Sequence, residues 1–168
     1  RHPHYRKLPL IQAVDDFPNV EHVKDWFKHC KYNDYWQAYG VKEKYPKIKV
    51  PAYFMTGWYD NLCHEGWRNF RGFRAQGGSK ECREGTKILV GPWAHGGSYG
   101  YEQLLELQLR WYDYWLKGME NGIDREPPIR IYVMGVNQWR TENEWPLART
   151  QFTRFYFHSE GSANSLSG

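Results

Sequence analysis

The sequence predicts an α/β chain that gives way to an all-β region near its end. Two short apolar runs, Val50 to Thr56 and Lys87 to Val90, flank a stretch of helical spacing. A longer amphipathic stretch follows at Tyr101 to Lys117, and residues of high strand propensity cluster at Ile129 to Met134 and Phe152 to Phe157. Strand, helix and strand within about 40 residues have the size of a βαβ unit, whose crossover is right-handed in nearly all cases.

Each element has a local reason. From Leu8 to about Tyr45, the groups Asp25-Trp26-Phe27 and Tyr32-Asn33-Asp34-Tyr35-Trp36 read as parts of short helices joined by polar turns. Val50-Pro51-Ala52-Tyr53-Phe54-Met55-Thr56 is a continuous apolar run, ended by Gly57, that suits a strand buried on both faces. Pro51 is tolerable near its start, where a ladder donor is not yet needed. Trp67, Phe70 and Arg74 recur at helical spacing between Glu65 and Ala75, and Gly77-Gly78 supplies a stop. Lys87-Ile88-Leu89-Val90 is the second strand, ended by Gly91-Pro92. In the long helix, Leu104, Leu105, Trp111, Tyr112, Trp115 and Leu116 are expected to form one core-facing stripe, with Gly118 as the stop. Asn121-Gly122 and Pro127-Pro128 mark a linker into the β region.

Composition narrows the classes. A chain of 168 residues and 20.1 kDa holds one domain or two partial ones. Trp 9, Tyr 13 and Phe 8 are too many for a disordered chain. Lys+Arg 23 against Asp+Glu 19 leaves +4, with signs alternating along the chain, so no nucleic-acid partner is expected. No apolar stretch approaches the roughly 18 to 20 residues of a membrane span, so no membrane partner is expected either. Cys30, Cys63 and Cys82 are odd in number and fit no CxxC spacing, which indicates neither a zinc ribbon nor a paired disulfide framework. The chain opens Arg1-His2-Pro3-His4-Tyr5-Arg6, without initiator Met or signal-peptide pattern, and is expected to be cut from a longer polypeptide.

The polar chemistry lies just past the two strands. Gly57-Trp58-Tyr59-Asp60-Asn61 places an acid after the first, and Gly91-Pro92-Trp93-Ala94-His95-Gly96-Gly97 places a histidine after the second. Open α/β sheets bind ligands beyond the carboxyl ends of their strands, so the two should share one face. Acid then histidine is the latter part of the chain order Ser, Asp, His in α/β-hydrolases. Imidazole takes and returns a proton near neutrality, and a carboxylate fixes its tautomer and stabilises the imidazolium as it forms. Spacing alone leaves open that Asp60 is a turn former and His95 merely an exposed loop residue.

The residues around this pair carry a resemblance. Gly57-Trp58-Tyr59-Asp60 and Gly91-Pro92-Trp93-Ala94-His95-Gly96 resemble the Asp and His motifs of the cocaine esterase, α-amino-acid ester hydrolase and X-Pro dipeptidyl-peptidase group of α/β-hydrolases, the CocE/NonD family. Asp34-Tyr35-Trp36 resembles the end of that family's helical cap, and Trp115-Leu116-Lys117-Gly118 its helix after the histidine. Val133-Met134-Gly135-Val136-Asn137-Gln138-Trp139-Arg140 with Trp145-Pro146 resembles the opening of its C-terminal jelly-roll domain. The resemblance implies the end of a cap region at 1–46, the C-terminal part of the hydrolase sheet at 47–125 and an incomplete jelly roll at 126–168. It implies Asp60 as triad acid, His95 as general base and acid, and Trp58, Tyr59, Leu62 and Trp93 at the acyl pocket. A core-packing role for the tryptophans stays open. A small-molecule ester or peptide substrate, no cofactor and no metal are implied, together with the missing N-terminal part of the same enzyme as partner and a homo-oligomer.

One part of the family pattern is missing. Arg1 to Tyr59 contains no serine, so the nucleophile and its oxyanion hole have no counterpart upstream of Asp60. Gly96-Gly97-Ser98-Tyr99-Gly100 matches GxSxG but follows the histidine, and no strand runs into Ser98, so it reads as a decoy. Cys63 as a thiolate nucleophile, or Asp60, His64 and His95 as metal ligands, are weaker alternatives. The competing hypothesis for the whole chain is a non-catalytic, aromatic-rich ligand-binding β module. A preformed half-triad is expected to place the Asp60 carboxylate within about 2.6 to 3.2 Å of a His95 ring nitrogen, or somewhat farther in an apo form, and a separation beyond about 8 Å would contradict the assignment.

Overall fold

A computed structural model describes residues 8–16, 19–96 and 101–157. The elements run α1 (Leu10–Ala13), a 3₁₀ turn (Val14–Asp16), α2 (Glu21–Lys28), α3 (Asp34–Tyr39), a second 3₁₀ turn (Lys42–Lys47), β1 (Tyr53–Tyr59) and α4 (Cys63–Gln76). There follow α5 (Lys80–Gly85), β2 (Lys87–Ala94), α6 (Tyr101–Lys117), a third 3₁₀ turn (Ile123–Arg125), β3 (Ile129–Val133) and β4 (Gln138–Glu142). The strands form one mixed sheet in the order β1-β2-β3-β4, with β3 parallel to β2 and antiparallel to β4. The chain divides into two compact units, Arg1–Phe54 with Asn61–Lys87 and Met55–Asp60 with Ile88–Gly168.

In the first unit, Tyr45, Phe73 and Cys82 form a buried cluster with Ile48, Ala52 and Phe54 against it. The Phe73 ring meets Phe54 edge-on at 5.1 Å and Tyr45 at 5.7 Å. Gly72 admits Tyr45, since a Cβ there would stand 2.1 Å from its ring. Ser79 joins α5 to the chain before β1: its hydroxyl accepts from Cys82 N at 3.0 Å as an N-cap and donates to Lys49 O at 2.6 Å. Burial pushes the Cys82 thiol up. The aromatic groups near the start hold their short helices by ring contacts, His29 stacking on Tyr35 at 4.3 Å.

In the second unit, Ile88, Leu89 and Val90 pair in register with Ile129, Arg130 and Ile131, and the five apolar residues among them are buried. Residues 134–137 close the β3–β4 hairpin, with Gly135 and Asn137 at positive φ as such a loop requires. Gly118, at φ +69, ends α6. Arg110 pairs with Glu126 at 2.6 Å, and Asn121 Nδ2 donates to Arg110 O at 2.7 Å, tying the linker to α6.

Five expectations need correction. β1 begins at Tyr53 and runs through Gly57 to Tyr59, because Pro51 offers no ladder donor and Gly57 sits against the next strand. β1 is half-buried over most of its length rather than buried on both faces. β2 continues through Gly91-Pro92 to Ala94, which brings His95 directly after the strand. The α6 stripe is two rows: Leu107 and Trp111 are buried with Leu104 and Trp115 half-buried, whereas Leu105, Tyr112 and Leu116 are exposed. At about 100° per residue the second group lies roughly 100° around the helix from the first. Residues 152–157 form no strand; among the described residues none pairs with them, and propensity without a partner does not make a sheet.

Glu142 on β4 accepts hydrogen bonds from Arg149 and lies 2.6 Å from Arg140 Nε. The Arg149 hydrogen bond, with the positive charge of Arg149 and Arg140, holds its carboxyl below the usual range. The resulting stability is present above the unfolded-state value, about 4.3, and is lost as pH falls through the lower folded value. Urea midpoints should therefore drop on acidification below about pH 4.3, and Glu142→Gln should flatten that dependence at low ionic strength; an unchanged profile would remove this pair from the stability account. At Gly57 an added Cβ would stand 1.9 Å from the Trp93 backbone oxygen, which no rotamer change relieves. Gly57→Ala should cost about 3 kcal/mol in urea unfolding, and a midpoint equal to wild type would contradict this approach of β1 to β2.

Candidate active site

Asp60 and His95 both belong to the second unit, one residue past β1 and one past β2. The chain turns as it leaves β1, with Asp60 N donating to Gly57 O at 3.0 Å. His95 lies in a turn continued by Gly96 at φ +69, a backbone state glycine adopts without strain. The structure brings His95 Nδ1 within 3.2 Å of Asp60 Oδ1. The Asp60 side chain is 14% exposed and that of His95 67%, so a largely sheltered carboxylate meets a ring open to solvent. A carboxylate on Nδ1 favours the tautomer with the proton there and leaves Nε2 as the nitrogen for proton exchange.

The remaining expected residues divide by what they touch. Trp58 is half-buried, its Nε1 donating to Tyr132 O at 2.7 Å and its ring 6.5 Å from Trp145. Trp93 is half-buried with its ring 6.0 Å from Trp139. Tyr59 is 64% exposed. Leu62, in the first unit, is 50% exposed. Trp93 and Trp139 also wall a cleft of about 290 Å³ with Leu104, Leu107, Arg110 and Arg130, and neither Asp60 nor His95 lines it. Sequence reasoning missed Tyr132 as the acceptor for Trp58. Its carbonyl carries no side-chain signal, although Trp139 beside it lies in a stretch the family resemblance had marked.

The alternative chemistries fare differently. Ser98 lies outside the described residues. Cys63 is half-buried at the start of α4, and His64 is exposed with Nδ1 3.8 Å from Glu65 Oε1. Among the described residues no group of three His, Cys, Asp or Glu side chains is placed to hold a metal ion. No helix among them is long and apolar enough to cross a membrane.

Comparison with known proteins follows the same lines. Residues 121–168 match the X-Pro dipeptidyl-peptidase C-terminal non-catalytic domain. The chain is 27% identical over 154 residues to the cocaine esterase of Rhodococcus sp. (strain MB1 Bresler), covering 83% of this chain and 26% of that protein. It thus spans about a quarter of that relative's length. A CocE/NonD family hydrolase from Staphylococcus aureus shares the fold with TM-score 0.64 and 23% identity, over 90% of this chain and 27% of the other. An aminopeptidase from a marine sediment Thaumarchaeota archaeon does so with TM-score 0.61 and 18% identity, over 82% of this chain and 25% of the other. Residues 5–97, more than half of the chain, match the X-Pro dipeptidyl-peptidase (S15 family), and the chain belongs to that family, within the CocE/NonD group of hydrolases.

Proposed function

We propose that Asp60 and His95 are the acid and the base of a Ser-Asp-His triad that hydrolyses an ester or amide bond by acyl transfer, the serine lying outside these 168 residues. The observation that carries this reading is the 3.2 Å approach of Asp60 Oδ1 to His95 Nδ1 at the ends of two strands of one sheet. His95 Nε2 takes the proton of the serine hydroxyl as its oxygen attacks the substrate carbonyl, and returns it to the departing alcohol or amine. An acyl-enzyme is left. Water, deprotonated by the same nitrogen, then attacks the acyl carbon, and the proton returns to serine as the acid departs. Asp60 stays ionised throughout and stabilises the imidazolium.

The family's substrates, esters and peptides, set the class proposed here. Of the four residues that the resemblance places at the acyl pocket, Tyr59 and Leu62 present exposed side chains and are carried forward as substrate-side groups. The proposed division falls at 46 and 125, with a jelly roll beginning at 126. Its support is the match of residues 121–168 to the family's C-terminal non-catalytic domain.

In the full-length enzyme, His95→Ala and Asp60→Asn should each lower kcat on p-nitrophenyl esters by roughly 10³- to 10⁴-fold. The 168-residue chain alone should be inert. Hydrolysis by that chain, abolished by His95→Ala, would place the nucleophile inside it and refute the external serine.

A further inference from the structure

The Asp60–His95 contact cannot hold itself in place. An ion pair with so exposed a partner is worth about 1 kcal/mol or less, and both residues have already left their strands. Something else must fix the two chain ends to each other.

Each has a tryptophan two residues upstream, Trp58 before Asp60 and Trp93 before His95. Each is thus the last residue but one of its strand, and both engage the β3–β4 hairpin. Trp58 Nε1 donates to Tyr132 O at 2.7 Å. Trp93 packs on Trp139 at 6.0 Å, and Trp139 meets Tyr132 edge-on at 5.3 Å. Tyr132 and Trp139 are directly opposed in the β3–β4 register, and the Arg130 guanidinium covers the Trp139 ring at 4.9 Å. The contacts therefore close a circuit from Asp60 through Trp58, Tyr132, Trp139 and Trp93 to His95, and back to Asp60. Two glycines make room for it: a Cβ at Gly57 would stand 1.9 Å from Trp93 O, and one at Gly91 would stand 2.1 Å from the Trp93 ring.

We infer that Trp58 and Trp93 are positioning residues, which hold Asp60 and His95 in register through the Tyr132–Trp139 pair of the β3–β4 hairpin rather than walling the acyl pocket. The inference rests on the proposed acid–base roles. It makes the hairpin, within the stretch matched to a non-catalytic domain, part of what fixes the catalytic geometry. Indole suits the task because it buries a large rigid surface and still donates one hydrogen bond.

The tautomer of His95 reads this directly, by long-range ¹H–¹⁵N correlation on the ¹⁵N-histidine-labelled full-length enzyme at a pH where the ring is neutral, its signals assigned by their loss in His95→Gln. Wild type should be mainly Nδ1–H. Trp58→Phe, which keeps a ring and removes the donor, and Trp139→Leu should each shift the majority to Nε2–H. Phe73→Leu, in the first unit's core, should lower the melting temperature and leave the tautomer alone. In the full-length enzyme Trp58→Phe should lower kcat by about 10- to 100-fold with KM within about twofold. If Asp60→Ala, which removes the acceptor, leaves Nδ1–H in place, the acid–base reading itself fails. If Asp60→Ala shifts the tautomer but neither Trp58→Phe nor Trp139→Leu does, the positioning role is overturned and the acid–base reading survives. Should Trp58→Phe not fold, Trp139→Leu on the outermost strand decides alone.

Discussion

Trp93 occupies space that side chains at Gly57 and Gly91 would otherwise fill, so the first two strands lie in close approach just before they end. A residue any larger than glycine at position 57 would meet the Trp93 backbone itself. Because β1 and β2 approach so nearly, Asp60 and His95 leave the sheet side by side. The packing lives at the level of two missing methyl groups, and the chemistry depends on it.

The site combines a weak electrostatic contact with a strong apolar frame. A carboxylate–imidazole pair whose ring is open to solvent contributes little stability of its own. Buried aliphatic residues of β2 and β3 and the cross-strand aromatic pair Tyr132–Trp139 supply what the pair lacks. This division suits a general base, whose ring must reach solvent and substrate while its orientation stays fixed. The first unit stands on a separate cluster around Phe73, with Ser79 capping α5 and bonding back to Lys49.

Much of this was legible in the sequence, and all but one of the failures concern contacts between distant segments. Helices α4 and α6 and the positions of Asp60 and His95 follow from local signals: apolar spacing, glycine stops, and polar residues after apolar runs. Gly57 and Gly91-Pro92 misled because glycine and proline read locally as strand breakers, whereas here glycine marks a close approach that only the fold reveals. The α6 stripe split because a list of apolar positions ignores the roughly 100° between neighbours in the chain. The role of Tyr132 was invisible, since a backbone carbonyl has no sequence signature and its donor lies 74 residues away. The segment 152–157 has the composition of a strand, and pairing is a property of two segments rather than one.

The most direct test of the central claim is the separation of Asp60 Oδ1 and His95 Nδ1 in a crystal structure of the full-length enzyme. The account predicts a hydrogen bond of about 2.6 to 3.2 Å, with Nε2 turned toward the nucleophilic serine, and a separation beyond about 8 Å would contradict it.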